Sequence, residues 1–332
     1  MSTERITIDD VAEALNISKT TVSRAISGKG RISNATRAKV MEYIDLHNYR
    51  PSSLAQGLAK KRTFNIAVVW PKEYSIVDLP FFQRCLIGID EITSANDNDI
   101  IVCMMKNNDI HQLERLITNN KIDGVILTRT LIEDKACEYL NEKGLPFVAI
   151  GNTIDNSIIT VDNDHFKACR ELTMILLQKG FESIALIGGD ENHVITTIRY
   201  EGYSAAFRDF GKKMDTSLTY FNISTLEQVS DIVKELYEKK TDCIICMDDS
   251  ICGNVINACK EQNINIPSDL KIASFYDSAV LENVNPSITS LRFDDRALGR
   301  RAAQTLLDMI DKKEVNPRTL SNYQVVLQQS TQ

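Results

Sequence analysis

Short, almost uninterrupted apolar runs recur from residue 65 to residue 275, and stretches with helical spacing separate them. The runs read NIAVVW (65–70), IIVCMM (100–105), DGVILT (123–128), PFVAIG (146–151), SIALIGG (183–189), DCIICM (242–247) and LKIASF (270–275). A strand with one face in water alternates apolar and polar residues. A strand that is apolar at nearly every position is covered on both faces. Helical patterns such as His165–Gln178 and Asp249–Gln262 supply that cover. Strand followed by helix followed by strand predicts parallel sheets flanked by helices. Roughly 270 residues of this alternation are too many for one sheet, so two doubly wound subdomains are expected.

Residues 1–62 break the pattern, in charge as well as in periodicity. They hold 11 Lys and Arg against 6 Asp and Glu, while the remainder holds 27 against 39 and the whole chain is -7. A compact basic piece joined to an acidic body suggests a module for phosphates. Thr7 and Asp10 are spaced as a capping box, opening a helix that turns Val11 and Leu15 inward. Asn16 suits the left-handed residue that ends it, and Ile17 then points back to the core. Ser18 caps a second helix, with Val22 and Ile26 on one face. Lys19, Thr20, Thr21, Ser23 and Arg24 are left outward. Ser33 caps a third helix with Val40 and Ile44 inside. Two short helices about a tight turn, braced by a third, form a helix-turn-helix. The first residues of its second helix are the ones that reach base edges in the major groove.

These residues carry a family resemblance. The segment ITIDDVAEALNISKTTVSRAISGKGRISNATRAKVMEYIDLHNYRPSSLAQGLAKKRT, ungapped over about the first 62 residues, resembles the DNA-binding head of the LacI/GalR family of transcriptional regulators. The resemblance implies that Lys19, Thr20 and Arg24 read bases. Arg suits the O6/N7 edge of guanine, and Thr a thymine methyl. It implies that Thr7, Thr21, Ser23, Ser33, Thr36 and Tyr49 mainly hold phosphates, which sets register without reading sequence. After Pro51, SSLAQGLAKKRT spans only about two helical turns, too short to hold alone, and Gly57 weakens it. In the family this hinge forms on the operator, and the resemblance places Ala55 and Leu58 against DNA. Leu58 falls where a leucine wedges into the minor groove and bends the duplex.

The body resembles the same family, whose fold is that of periplasmic sugar-binding proteins. The signs are R..GY..AF at 199–207, DD at 248–249, IPSDLKIASF at 266–275 and PSITSLRFD…LGRRAAQTLL at 286–307. The implied organisation is a head at 1–50 and a hinge and linker at 51–62. One effector subdomain takes 63–161 plus about 291–319, and the other takes 162–290 plus about 320–332. The chain thus crosses near 161, 290 and 319. A small effector belongs in the cleft, at the carboxyl ends of strands. The family's cleft arginine falls on Arg199, and its usual Asn-Asp pair reads Asp248-Asp249. Where sugar binders have a strand end of the type Gly-Phe-Asp-Asp, this chain has Ser274, Phe275, Tyr276 and Asp277. Either a bulge turns Asp277 into the cleft or Tyr276 now faces the ligand. Tyr74, Phe81, Phe82 and Phe221 are candidate walls. A carbohydrate is the expected effector, and Asp248 also suits a ligand bearing an amine.

Other classes find little support. The histidines at 47, 111, 165 and 193 lack metal-ligand spacing, and neither a G-x-S-x-G nor a phosphate-binding loop occurs. No enzyme activity, cofactor or metal is expected. Cys243 and Cys246 form a CxxC, but on a strand they fall on opposite faces, so the cysteines read as buried, reduced hydrophobes. No apolar run reaches the ~18 residues of a membrane span, and MSTERITIDD has no signal-peptide core. A cytoplasmic regulator acting as a repressor is expected rather than a transport protein that merely binds sugar. It is expected to act as a homodimer on a palindromic operator, because VVLQQSTQ ends without leucine heptads.

Overall fold

The computed structural model describes residues 6–28, 30–49, 57, 62–72, 80–223 and 225–332. The chain forms two compact units, 1–63 and 64–332.

The first unit holds α1 (Ile8–Ala14), α2 (Lys19–Ser27) and α3 (Asn34–Leu46). Each begins at a side-chain cap. Thr7 and Asp10 form the reciprocal capping box, Ser18 accepts from the Thr21 amide, and Ser33 accepts from the Thr36 amide. Asn16 takes φ 50°, and the Ile17 amide reaches back to the Ala12 carbonyl at 2.9 Å, which closes α1 and sets the turn. Val11, Ala12, Val22, Ala25, Val40, Ile44 and Tyr49 make the buried core.

The second unit contains two six-stranded sheets, each a lobe. The first comprises β1 (Asn65–Pro71), β2 (Asp99–Met105), β3 (Gly124–Leu127), β4 (Phe147–Ile150), β5 (Thr160–Asn163) and β11 (Arg318–Ser321). Its order is β11-β5-β4-β3-β1-β2, parallel throughout. The second comprises β6 (Ile184–Ile187), β7 (Thr219–Tyr220), β8 (Cys243–Cys246), β9 (Lys271–Ser274), β10 (Thr289–Phe293) and β12 (Tyr323–Val326). Its order is β12-β10-β9-β8-β6-β7, with only β12 antiparallel.

Strand alternation splits each core in two. In the first lobe Ile66, Val68 and Ile126 face α4 (Pro80–Ala95) and α12 (Asp295–Ile310). Ala67, Val69, Val125 and Leu127 face α5 (His111–Thr118) and α6 (Lys135–Lys143). In the second lobe Ile184, Leu186 and Ile245 pack under α7 (His165–Gln178) and α8 (Val194–Phe210). Ala185, Ile187 and Ile244 pack under α9 (Leu226–Glu238) and α10 (Asp249–Glu261). Cys246 joins the latter core and Cys243 the former, so the CxxC points both ways through its sheet. All eight cysteines are free and buried.

The crossings differ from the expected boundaries by two or three residues. Asp162 and Asn163 pair with Leu320 and Ser321 in the first sheet, and Leu291–Phe293 pair with Val325–Tyr323 in the second. The breaks at 161, 290 and 319 therefore move to follow Asn163, Phe293 and Ser321. Ladder pairing sets where each strand stops, and that is a partner's property as much as the strand's own.

Candidate nucleic-acid interface and interlobe cleft

On α2, Val22 and Ala25 are buried, while Lys19, Thr20, Ser23 and Arg24 are exposed. Thr21 is half-buried, and its hydroxyl shares a hydrogen bond with Ser18 at 2.9 Å. Lys19 also forms an ion pair with Asp9 on α1. Both partners are exposed, so water and counterions screen it and a DNA phosphate competes easily. The Arg24 stem lies over Gly30, which sits at φ +90°. A side chain at residue 30 would meet both a strained backbone and the Arg24 Cδ.

Four of the expected phosphate-holding hydroxyls, those of Thr7, Thr21, Ser33 and Thr36, are already used within the head. Thr7 donates to the Asp10 carboxylate at 2.8 Å, and the Ser33 and Thr36 hydroxyls share a bond of 2.8 Å. Tyr49 is 7% exposed, with its ring in the head core. Burial pushes its phenol pKa up. Ala55, Leu58 and Tyr74 lie outside the described residues, as does most of the hinge segment 51–62.

In the body, both sheets reverse strand order, at β1/β3 and at β6/β8. Loops diverge at such a point, so the carboxyl ends of those strands frame a crevice. Asp248 follows β8 and caps α10 by accepting from the Ile251 amide at 2.8 Å. Its neighbour Asp249 is buried and accepts from the Ser278 hydroxyl. Arg199, in the second turn of α8, donates from Nη1 to the Met247 carbonyl at 2.5 Å, and its Nε is buried without a partner. Phe221 follows β7 and stacks edge-on to Tyr200 at 5.4 Å.

The two alternatives at the end of β9 are separated by their partners. Asp277 turns away to Arg292, one carboxylate oxygen accepting from Nε at 3.0 Å and Nη2 at 2.7 Å. That pairing engages one Asp277 oxygen, as a buried carboxylate takes a nearby strong donor. Tyr276 faces the other lobe instead. Its ring is buried, and its hydroxyl donates to Asp295, at the start of α12, at 2.6 Å.

Aromatic rings continue this line across the lobes. Centroids are 6.0 Å apart for Trp70 and Phe82, 5.1 Å for Phe82 and Phe81, and 6.1 Å for Phe81 and Tyr276. Tyr276 stacks on Phe293 at 6.3 Å, and Phe293 meets His165 at 4.6 Å. Phe81 packs against the cores of both lobes. A second lobe contact lies beyond β3. Leu131 and His193 form an antiparallel bridge, with the Ile132 amide to the Asn192 carbonyl at 2.9 Å and the Val194 amide to the Thr130 carbonyl at 3.2 Å. The lobes are thus held together at two places, and a small cavity of 20 Å³ lies within the first lobe, lined by Val69, Leu127 and Arg129. A larger groove of 330 Å³ lies elsewhere, between α7 and the crossing strands β11 and β12.

Several cleft residues escaped the sequence reading. Asp162 is buried near the charge of Arg199, and burial holds its carboxyl up to about 7. His165 is buried with Nδ1 unpartnered, and burial with the Arg199 charge keeps its pKa well below the usual histidine value. Asn163 is fully buried with both amide atoms unpartnered. Unpaired buried polar atoms are rare in folded proteins. No group of three or more His, Cys, Asp or Glu residues suited to a metal occurs among the described residues.

Comparison with known proteins agrees with both halves. The family described as bacterial regulatory proteins, lacI family, matches residues 7–52. That described as periplasmic binding proteins and sugar binding domain of LacI family matches residues 63–329. The HTH-type transcriptional regulator RegA of Clostridium saccharobutylicum is 26% identical over 98% of each chain. Catabolite control protein A of Staphylococcus xylosus is 28% identical over 94% of this chain and 95% of that one. Among solved structures, the lac repressor dimer bound to operator and the anti-inducer ONPF superposes with a TM-score of 0.82 at 20% identity, over 99% of both chains. The transcriptional regulator CelR in complex with cellobiose superposes at 0.74 and 24% identity, over 98% of this chain and 100% of that one. With a helix-turn-helix head and a two-lobed body, the chain belongs to the LacI family of DNA-binding bacterial regulators, which are not enzymes.

Proposed function

We propose that this protein is a cytoplasmic transcriptional repressor that binds a palindromic operator as a homodimer and is controlled by a carbohydrate held between its body lobes. Residues 1–50 serve as the head and 51–62 as the hinge, with Ala55 and Leu58 entering the minor groove. The observation that carries the reading is the face of α2: Lys19, Thr20, Ser23 and Arg24 stand exposed on a helix anchored by Val22 and Ala25. The lac repressor dimer, which superposes over nearly the whole chain, was solved on its operator, and CelR with cellobiose. Both support the DNA and carbohydrate halves. Effector binding changes the relation of the lobes and so the operator affinity, a coupling typically worth about 1–3 kcal/mol in each direction. No described helix is long and apolar enough to cross a membrane.

The test is selection of duplexes from a random pool by the full chain. An inverted repeat is expected. Arg24→Ala should lose preference at one position in each half-site, by about 1–3 kcal/mol for a bidentate base contact. A selected consensus without dyad symmetry would refute the dimer, and an unchanged consensus with Arg24→Ala would remove that residue from base reading.

A further inference from the structure

Asp295 is 1% exposed, and only one of its carboxylate oxygens is engaged. Oδ2 accepts from Tyr276, whereas Oδ1 is buried without a partner. An unsatisfied buried acceptor destabilises by about 1–3 kcal/mol, more when charged. Its surroundings are short of donors and of positive charge. Asp249 acts on Asp295, and Asp162, Asp248 and Asp249 all lie within the field of Arg199. The cations facing this group are Arg199, already bound to a carbonyl, Arg84, which acts on Asp295 from α4, and Arg318, which acts on Asp162 from β11. Asp294 adds a further negative charge. Independently, the fully buried Asn163, next to Asp162, has an unpartnered amide. Phe81 and Phe293 pack on the Tyr276 ring and hold its hydroxyl at Asp295.

An anionic ligand adds to this surplus of carboxyls, and a neutral one leaves it. An ammonium group neutralises it and supplies the missing donor to Oδ1. We infer that the effector is an amine-bearing carbohydrate, that Asp295 receives its ammonium group, and that Tyr276 is the positioning residue for that carboxylate. The inference rests on the cleft being the effector site. Asp295 comes from the lobe opposite Tyr276, so a ligand held there touches both lobes and reports on their separation. Burial keeps the Asp295 carboxyl up at about 7, so a bound cation displaces its proton.

The test uses the full chain and matched probes: glucose, glucosamine, 6-amino-6-deoxyglucose and glucose 6-phosphate, with the corresponding galactose and cellobiose series. Affinity is read by calorimetry and thermal shift at pH 6.0 and 7.5. An amine-bearing member is expected to bind about tenfold or more tightly than its neutral counterpart, with the phosphates silent. Asp295→Asn should remove that preference, and Tyr276→Phe should move the pH at which affinity rises upward. If a neutral or phosphorylated sugar binds as tightly as its amine, the ammonium assignment falls while the cleft reading stands. Amine binding that survives Asp295→Asn unchanged also overturns it. Silence from every probe overturns both readings.

Discussion

Tyr276→Phe isolates one side-chain bond between the lobes. The substitution keeps the ring that packs on Phe81 and Phe293 and deletes only the hydroxyl. Asp295 then has no donor on either oxygen, at 1% exposure. The effect depends on pH, and its sign follows from the Asp295 carboxyl. Burial raises its pKa from 3.8 to about 7, and the Tyr276 hydroxyl is the main influence pulling it back down. For an acid raised in the folded state, the stabilising contribution is complete below the unfolded value and is lost as pH climbs through the folded one. Below about pH 6, the variant loses a bond to a largely neutral acid, worth ~1 kcal/mol; above about pH 8, it loses one to a carboxylate, worth ~1.5–3 kcal/mol. Destabilisation relative to the parent should therefore grow by about 0.5–2 kcal/mol between pH 5.5 and 8.5. Urea unfolding of parent and variant at both pH values measures it, and groups common to both proteins cancel in the difference. Equal losses at both pH values, or a greater loss in acid, would refute the argument.

Two further substitutions test the packing and the head. Helices α4 and α12 touch backbone to backbone: a Cβ on Gly299 would sit well inside contact distance of the Cys85 carbonyl, and one on Gly88 would do so at the Arg296 carbonyl. Gly299→Ala should destabilise the first lobe by about 1–3 kcal/mol or more, seen as a lower urea midpoint; an unchanged midpoint would mean the helices part freely. Ser18→Ala removes the cap of α2 and should destabilise the head by ~1 kcal/mol. Hydrogen exchange reads this across α2, since the Thr21 amide loses the Ser18 hydroxyl and keeps only the Ser18 carbonyl, and unaltered protection throughout the helix would contradict the cap.

Local chemistry is legible in the chain. The capping box of Thr7 and Asp10, the caps at Ser18 and Ser33 and the left-handed Asn16 each involve residues a few positions apart. Their geometry is a property of the backbone turn. Helix α7 begins and ends where its periodicity does, at His165 and Gln178. The wholly apolar strands likewise announce sheets covered on both faces. The same local rules hide a competition. Thr7, Ser33 and Thr36 look free for phosphate when read singly, yet their hydroxyls already bind one another or the helix start.

The sequence by itself determined the helix-turn-helix head and the two doubly wound sheets, because periodicity and capping act over a few residues. Tertiary structure alone decided where the chain crosses between lobes, since β5, β10 and β11 end where their neighbours stop pairing. It also decided what the cleft contains. Asp277 and Tyr276 are adjacent in sequence, but one is claimed by Arg292 and the other reaches Asp295 in the opposite lobe. Asp162, Asn163, His165 and Asp295 acquire their unusual burial only when two separate sheets bring their carboxyl ends together. No local pattern carries that information, because a desolvated charge is defined by what surrounds it and not by its neighbours along the chain.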